Sequence, residues 1–511
     1  MRFPGLTLSL LALGLAALAQ ARPFTVVAYN VENLFDLDGV AGYDDYQPSR
    51  YSRAHALTKL RNIAQVVARF EGGRGPDVLM LCELETDATP GRGAPDYEAL
   101  LAPYARVPLD EMLGARFDKR IADLPAEALL LKAFNEAGLT GYRVVTGDGA
   151  PPPRGEKRPE IKNAVFTRLP IARTRAHPTT NARAILEVQV TVDGAPLFLF
   201  VNHWKSGASD PETEPLRVAN AATLRRRLDE VLRADPNADI ILGGDFNSQY
   251  NQKQRYPRMA KTGMDDVLRA QGDELAIRGS AHDLYNLWHE LPPPERGSDT
   301  FRGEWGTLMH LIVSRGLYDF RGVQYVDNSF AVAKFPGLNA DTRGLPVRWV
   351  FDGPAGAGFS DHFPIVAKFT TVAENRADRW LELENPSTDR GAPPPIVRSE
   401  PVRNDPPRPP PLPAVDLERV ALDPKLLPAT AAIRDDAHKG KIFRVEGRVT
   451  ASERLAVTVN GQTYEVWSYD APLRASLRAR FKAGATMRFF GELAVCRDRW
   501  QFVVRDASWV K

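Results

Sequence analysis

Polar side chains that can bind a metal or transfer a proton stand beside apolar, strand-like runs at several points of the chain. They are Asn30, Glu83, Asn202, His203, Asp245, Asn247, Asp361 and His362. Carboxylate and amide oxygens suit a hard cation, Mg²⁺ with Mn²⁺ or Ca²⁺ as alternatives, whereas zinc sites favour cysteine and histidine clusters. A hard cation beside histidine and aspartate predicts hydrolysis of phosphate esters, because the metal offsets charge while the side chains move protons.

The stretch Gly243-Gly244-Asp245-Phe246-Asn247-Ser248 has the strongest local pattern. Residues 238–242, which are apolar apart from Asp239, predict a buried strand, and the two glycines end it. Asp245 and Asn247 therefore follow the carboxyl end of a strand, where α/β sheets usually bind ligands. An Asx turn that caps the next segment is the alternative for this pair.

The other polar residues would need similar strands directly before or after them in the sequence. Strand-like runs occur at residues 24–29, 77–82, 163–167, 184–191, 197–202, 308–314 and 364–369. Helical spacing of apolar residues occurs at residues 53–70, 126–137 and 216–232, and residues 86–122 show little pattern. Strands that alternate with helices predict an α/β core whose strand ends bring the polar residues together.

Composition divides the chain of 511 residues into four segments. Residues 1–21 have a basic start, a short apolar core and a small-residue site, which predicts a signal peptide cleaved after Ala21 and a secreted or periplasmic protein. Residues 22–387 carry the polar set, residues 388–414 form a proline-rich linker, and residues 415–511 predict a small β-barrel. A net charge of +2 excludes a strong overall field, and the only cysteines, Cys82 and Cys496, are expected to be unpaired.

Five ordered motifs resemble the endonuclease/exonuclease/phosphatase superfamily, which has the DNase I-like fold. They are Tyr29-Asn30-Val31-Glu32-Asn33-Leu34-Phe35-Asp36, Leu81-Cys82-Glu83, Asn202-His203, Gly244-Asp245-Phe246-Asn247 and Ser360-Asp361-His362-Phe363-Pro364. The resemblance covers residues 24–370 and implies an α/β (α+β) four-layer sandwich. In such a sandwich two packed mixed β-sheets are flanked by helices.

The resemblance also implies a role for each matching residue. Metal binding falls to Asn30, Glu83 and Asp361, and catalysis to His203, Asp245, Asn247 and His362. Glu85 is the alternative to Glu83 as the metal-binding glutamate. Asn202 and Lys205 are predicted to contact the substrate, and Glu32 is a candidate neighbour of the site. Solvated rim charges are the alternative for both Lys205 and Glu32.

One position departs from the family pattern. Met309 stands where the family usually has an aspartate that orients the histidine matching His362. A thioether accepts only weak hydrogen bonds, so the departure predicts a slow enzyme unless another acid, such as Asp352, replaces it. Strand alternation is expected to place His310 on the opposite face.

The C-terminal segment resembles an OB-fold of the nucleic-acid-binding type. Basic residues, Arg497 among them, are interleaved there with aromatic residues that include Trp467 and Trp500. Bases stack on aromatic rings while cations follow the phosphates, so these three residues are predicted to bind substrate. The alternative is that the aromatic residues form the barrel core and the arginines a solvated face.

Together these patterns predict an exported, metal-dependent nuclease that hydrolyses phosphodiester bonds in DNA or RNA, with DNA the more expected partner. The protein is expected to be monomeric and to have no membrane span. A phosphatase or phosphodiesterase that acts on small or lipid phosphate esters is the alternative. A nucleic-acid-binding protein with weakened catalysis is another.

Overall fold

A computed structural model describes residues 21–87, 95–147, 152–387, 416–427, 432–451, 455–496 and 499–511. The chain divides into two compact units, Met1–Pro401 and Val402–Lys511. Most of the predicted signal peptide and the predicted linker at 388–414 lie outside the described residues. In the described part of the chain, no helix is both long and apolar enough to span a bilayer.

The first unit contains the strands that the sequence predicts together with several short ones. They are β1 Pro23–Leu34, β2 Val78–Glu85, β3 Arg143–Thr146, β4 Ile161–Thr167, β5 Ile171–His177, β6 Ile185–Val192, β7 Ala195–His203, β8 Ile240–Asp245, β9 Ala270–Gln271, β10 Leu284–Asn286, β11 Asp299–Phe301, β12 Glu304–Gly306, β13 Met309–Val313, β14 Asp319–Tyr325, β15 Ala331–Val332 and β16 Ile365–Trp380.

Helices connect these strands. They are α1 Arg53–Val67, α2 Tyr97–Leu101, α3 Leu109–Leu113, α4 Lys119–Ala122, α5 Ala126–Glu136, α6 Glu214–Ala234 and α7 Gln252–Arg255. Helix α1 begins at a capping box in which Ser52 accepts from the backbone N–H of His55. The poorly patterned stretch at 86–122 holds α2, α3 and α4, which are too short for apolar periodicity to reveal them.

Two mixed sheets of seven strands each form the centre of the first unit. One has the order β14-β16-β1-β2-β4-β3, with β15 paired to β16, and the other has the order β5-β6-β7-β8-β13-β10-β9. Strands β1 and β2 are parallel, as are β7 and β8, whereas β16 and β13 run antiparallel to their neighbours. The carboxyl ends of β1, β2, β7 and β8 therefore carry the predicted polar residues.

Alternation along the strands produces four layers. Val26 and Ala28 of β1 pack in a buried cluster with Leu199 and Leu311 of the other sheet. The opposite face of β1, which includes Val27, packs with residues of α1 and α5, and residues of α6 cover the outer face of the second sheet. Because the central strands β1, β2 and β8 are buried on both faces, they read as continuous apolar runs. The predicted four-layer sandwich is confirmed.

The second unit is a closed five-stranded barrel with its own apolar core. Its elements are α8 Leu417–Val420, β17 Ile442–Ala451, β18 Ala456–Val459, β19 Gln462–Trp467, α9 Ala471–Arg480, β20 Thr486–Cys496 and β21 Arg499–Val503. The strand order is β17-β18-β19-β21-β20, and α9 lies in sequence between the third and fourth strands. The predicted barrel is confirmed, whereas α9 was not predicted.

Candidate active site

Parallel pairing brings the polar residues into register at one edge of the sandwich. Asn30 of β1 pairs with Cys82 of β2, next to Glu83, and His203 of β7 pairs with Asp245 of β8. The side chain of Asn30 donates from Nδ2 to Oε1 of Glu83 at 2.8 Å and to Oδ2 of Asp245 at 3.0 Å. One fully buried amide therefore joins carboxylates that belong to different sheets.

The backbone around these residues adopts uncommon conformations. Glu83 lies at a bulge in β2 with φ of 69°, and Asn247 has φ of 46°. A Cβ at Gly244, where φ is 116°, would lie 2.2 Å from the carbonyl oxygen of Asn202, so only glycine fits this close approach. Left-handed conformations cost about 1–3 kcal/mol each outside glycine and cluster at functional sites.

Two histidines converge on Asp245. Nε2 of His203 lies 3.7 Å from Oδ2 of Asp245 and 3.7 Å from Oε1 of Glu83. Nε2 of His362 lies 3.8 Å from Oδ2 of Asp245 and 3.7 Å from Oδ1 of Asp361. The Nδ1 atoms of both histidines are buried and have no hydrogen-bond partner among the described residues.

The surroundings favour the neutral form of one histidine and the protonated form of the other. Burial lowers the pKa of His203 well below its usual value, and the positive charges of Arg183 and His362 act in the same direction. Burial would also lower the pKa of His362, but the carboxylates of Asp361 and Asp245 outweigh it and raise the pKa to about 9. His203 is therefore neutral and His362 is protonated at neutral pH.

The carboxylates are crowded and buried. Burial, and then the charge of Asp361, raises the pKa of Glu83 to about 7, and burial raises the pKa of Asp245. Ligand atoms of Glu83, His203 and Asp245 lie within 4.8 Å of one another, and the side chain of Asp361 is 41% exposed. Buried acids with mostly oxygen donors fit a hard divalent cation, which would offset their repulsion.

Asn30 and Asn202 have their amides engaged within the fold. Oδ1 of Asn30 accepts from the backbone N–H of Glu32, so its nitrogen faces the carboxylates. Asn202 is fully buried; its amide donates to the Phe200 carbonyl and accepts from the Trp204 indole. This geometry favours a positioning role for both residues, and their predicted roles in metal and substrate binding stay predictions.

The structure separates Glu83 from its alternative, Glu85. Oε2 of Glu85 accepts from the backbone N–H of Asp36, at a second acidic group that Asp36 forms with Asp38 and Asp87. Glu32 accepts from Arg348 and from the backbone N–H of Trp349, so it is bound into the wall of the site and is not a solvated charge. Lys205 is partly exposed two residues beyond His203.

Sequence reasoning missed two basic residues near these carboxylates. The positive charge of Arg183 acts on both Glu83 and His203, and its Nη1 donates to the Trp204 carbonyl. Lys59 is fully buried and donates to the Glu32 and Phe359 carbonyls; burial lowers its pKa to about 8. A single arginine, or a lysine on an amphipathic helix, has no sequence pattern that marks it as part of a site. Neither Arg183 nor Lys59 was therefore identifiable from the sequence.

Met309 pairs in register with Asp245 and is buried in the core between the sheets. His310 lies on the other face as predicted, where Nε2 approaches the Ser248 carbonyl at 2.8 Å. Asp352, the predicted substitute acid, is exposed. The buried acid beside His362 is Asp299, which forms an isolated antiparallel bridge with it and contributes to raising its pKa.

Replacing Met309 with aspartate is expected to raise kcat about ten-fold, because the new carboxylate would hold the buried Nδ1 of His362; orienting groups of this kind are worth up to about 10⁴. The melting temperature Tm should fall at the same time, because the carboxyl enters a packed core. Steady-state kinetics and thermal unfolding, with Met309→Leu as the control, test both effects. An unchanged kcat in a folded variant would show that Asp299 already suffices.

Residues 158–371 match the sequence profile of the Endonuclease/Exonuclease/phosphatase family. The match includes His203, Asp245, Asn247, Asp361 and His362, whereas Asn30 and Glu83 precede it and join the site through hydrogen bonds. The predicted resemblance is thereby confirmed. Because the family comprises nucleases and phosphatases, the match supports hydrolysis of phosphate esters.

Solved structures similar to this chain include three with 13–16% sequence identity. TDP2 from C. elegans is 16% identical over 68% of this chain and 75% of that chain, with a TM-score of 0.36. An endonuclease/exonuclease/phosphatase family protein from Bacteroides thetaiotaomicron is 15% identical. The match covers 69% of this chain and 100% of that protein, with a TM-score of 0.37. The human Nocturnin catalytic domain is 13% identical. The match covers 68% of this chain and 94% of that domain, with a TM-score of 0.35. No curated protein sequence matches the chain.

Proposed function

We propose that the chain is an exported, metal-dependent phosphodiesterase that cleaves nucleic acid, DNA in preference to RNA. The family match of residues 158–371 supports the class of hydrolase, and the signal-like pattern of residues 1–21 motivates export. The observation that carries this proposal is the Asn30 amide, which holds Glu83 and Asp245 together beside one neutral and one protonated histidine. A phosphodiester needs a group that activates water, a cation near the phosphate and a proton for the leaving oxygen.

Glu83 and Asp361 are the residues that would hold a divalent cation, Mg²⁺ in the first instance. Their oxygens fit its preference, and burial and mutual repulsion leave the acids in need of a counter-charge. When bound, the cation would neutralise charge that develops on the phosphoryl oxygens.

Asp245 is placed to orient and deprotonate the attacking water. Its Oδ1 accepts from the backbone N–H of Asn247 at 2.8 Å and its Oδ2 accepts from Asn30, so the carboxylate cannot rotate freely. The Asn247 amide donates to the Trp204 carbonyl, which fixes the turn after β8. A carboxylate held at both oxygens supplies the fixed geometry that general-base catalysis requires.

The two histidines differ in whether they carry a proton that can be donated. His362 is protonated at neutral pH and therefore suits donation to the phosphate or to the leaving oxygen. His203 is neutral and contacts the phosphate as a hydrogen-bonding group. This assignment gives the role of general acid to His362.

Incubation of the full chain with supercoiled plasmid DNA and Mg²⁺, with and without chelator, tests the proposal. Chelator-sensitive nicking is expected, with slower cleavage of single-stranded RNA and negligible release of phosphate from p-nitrophenyl phosphate. Efficient hydrolysis of the phosphomonoester together with intact plasmid would instead establish a phosphatase.

The barrel is proposed to bind the nucleic acid. Trp467 lies on the outer face of β19, whose residues Tyr464 and Val466 point into the core, and the Arg474 guanidinium lies 4.3 Å from its ring centroid. Such an arginine–aromatic pair offers a stacking platform beside a positive charge. Trp500 packs against the barrel core, which favours a structural role, and Arg497 lies outside the described residues.

Removal of residues 388–511 is expected to leave an active first unit with weaker affinity for polymer. Each unit has its own apolar core, so the first unit should fold alone. The affinity lost should depend on salt, because each phosphate contact to single strands contributes about −0.7 to the slope of log K against log salt. Fluorescence anisotropy with a labelled oligonucleotide measures it, and Trp467→Ala in the full chain should reproduce part of the loss. Equal affinities at low salt would exclude this role.

A further inference from the structure

A short hairpin beside the proposed catalytic residues carries an exposed aromatic ring. Strands β11 and β12 pair antiparallel, and the turn between them has positive φ at both residues, 52° at Arg302 and 81° at Gly303. Such two-residue turns match the twist of a hairpin. Of the aromatic side chains in the described ranges, Phe301 alone is mainly exposed, at 63%. The ring at the end of β11 is therefore open to a ligand.

The base of the hairpin adjoins the proposed general acid. Asp299, the first residue of β11, forms the isolated antiparallel bridge with His362, and its charge acts on both His362 and Asp245. Side chains two residues apart lie on the same face of a strand, and two residues span about 7 Å. Phe301 therefore stands on the same face as Asp299, about 7 Å further from the bridge.

Contacts to β12 hold the hairpin in place. The Arg255 guanidinium donates to the Trp305 carbonyl at 2.9 Å and to the Glu304 carboxylate at 3.3 Å. The Trp305 ring stacks on the ring of Phe363, with the two centroids 6.4 Å apart. Phe363 directly follows His362 in the sequence. The exposed ring is therefore carried on an element that is fixed to the neighbourhood of the general acid.

The tip of the hairpin combines this ring with a cation. The guanidinium carbon of Arg302 lies 5.0 Å from the centroid of the Phe301 ring, and Arg302 forms no ion pair with the described residues. Glu304, which lies opposite Phe301, is already paired with Arg255. A ring beside an unpaired guanidinium offers a surface on which a base can stack and a charge for the neighbouring phosphate.

We propose that Phe301 and Arg302 bind an unpaired base of the substrate strand and its phosphate, next to the bond that is cleaved. The inference rests on the nuclease activity proposed above and specifies the form of nucleic acid that this activity favours. A phosphodiester that takes a proton from His362 lies at the base of the hairpin, so its neighbouring nucleotide extends toward the tip.

The stacking site has a consequence for the choice of substrate. Within a continuous duplex the neighbouring bases cover both faces of each base, so a base can stack on Phe301 only after it leaves the stack. Unstacking and unpairing cost the least in a strand that is already single or mismatched. The chain should therefore cleave single strands and mismatched bubbles faster than fully paired duplex.

Cleavage of two oligomers of equal length by the full chain with Mg²⁺ tests the site. One is an oligothymidylate, and the other is an oligomer of deoxyribose phosphates without bases. Phe301→Ala is expected to raise KM for the oligothymidylate about ten-fold with little change in kcat, an effect within the range for stacking on one base. The same variant should leave KM for the base-free oligomer unchanged. Phe301→Trp, which keeps a stacking ring, should restore the wild-type KM.

Leu275→Ala is the matched control, because Leu275 is also an exposed apolar residue, and it should leave both KM values and Tm intact. An unchanged KM for oligothymidylate in Phe301→Ala would overturn the site. Equal losses on both oligomers would also overturn it, because the ring would then not act on a base. Should Phe301→Ala lower Tm, Phe301→Leu takes its place, and the same two outcomes apply.

The wild-type chain separates failure of this site from failure of the proposed function. A wild type that cleaves oligothymidylate establishes the nuclease, and the variants then decide the stacking site alone. A wild type that cleaves neither oligomer would overturn the nuclease proposal and this inference with it.

Discussion

Replacing Asp245 with asparagine is expected to lower kcat for plasmid cleavage by about 10³- to 10⁴-fold, the upper range for a general base held in fixed geometry. Asparagine keeps the size of the side chain but cannot take a proton from water. It also removes the charge that acts on the His362 imidazolium 3.8 Å away. Both losses affect the chemical step, so KM should change much less than kcat.

The matched control is Asp239→Asn, a buried acid just before the opposite end of β8. Burial raises the pKa of Asp239 well above its usual value, and its Oδ2 accepts from the backbone N–H of Val323, a bond that the asparagine oxygen can keep, so an amide should be tolerated. Initial rates and Tm should be measured for both variants. A folded Asp245→Asn protein within a few-fold of wild type would remove Asp245 from the catalytic machinery, and the same test applies to His203→Ala.

Replacing Glu83 with glutamine is expected to lower activity at 1 mM Mg²⁺ by at least about 100-fold, since even groups that only support metal ligands are worth 10- to 100-fold. Glutamine removes one negative charge but still accepts from Asn30. Part of the loss should be recovered at higher Mg²⁺, because the lost charge weakens metal binding. A titration of rate against Mg²⁺ concentration measures the shift in half-saturation.

Glu85→Gln provides the comparison for this experiment. It lies two residues further along β2, is buried, and accepts from the Asp36 backbone through an oxygen that glutamine retains. Its Mg²⁺ dependence should match that of the wild type. If Glu85→Gln rather than Glu83→Gln shifted the half-saturation, the metal would belong to the second acidic group.

Much of the fold was predictable because buried parallel strands leave an unmistakable pattern. The runs ending near Asn30, Glu83, His203 and Asp245 are apolar on both faces, so length and β-branched content identified them. Short helices were not predicted, because three to five residues form less than two helical turns and show no apolar periodicity. The barrel was predicted from spacing and turns, whereas α9 is rich in arginine and packs on the barrel core through a narrow apolar face that includes Leu473 and Leu477.

The sequence by itself determined which residue types the site would have and which strands would present them. Tertiary structure alone decided the pairings, because they join residues far apart in the chain: Asn30 to Asp245 across two sheets, and Asp299 to His362 across a bridge. The charge states of the two histidines were equally beyond sequence reasoning, since they depend on burial and on which carboxylates lie nearest.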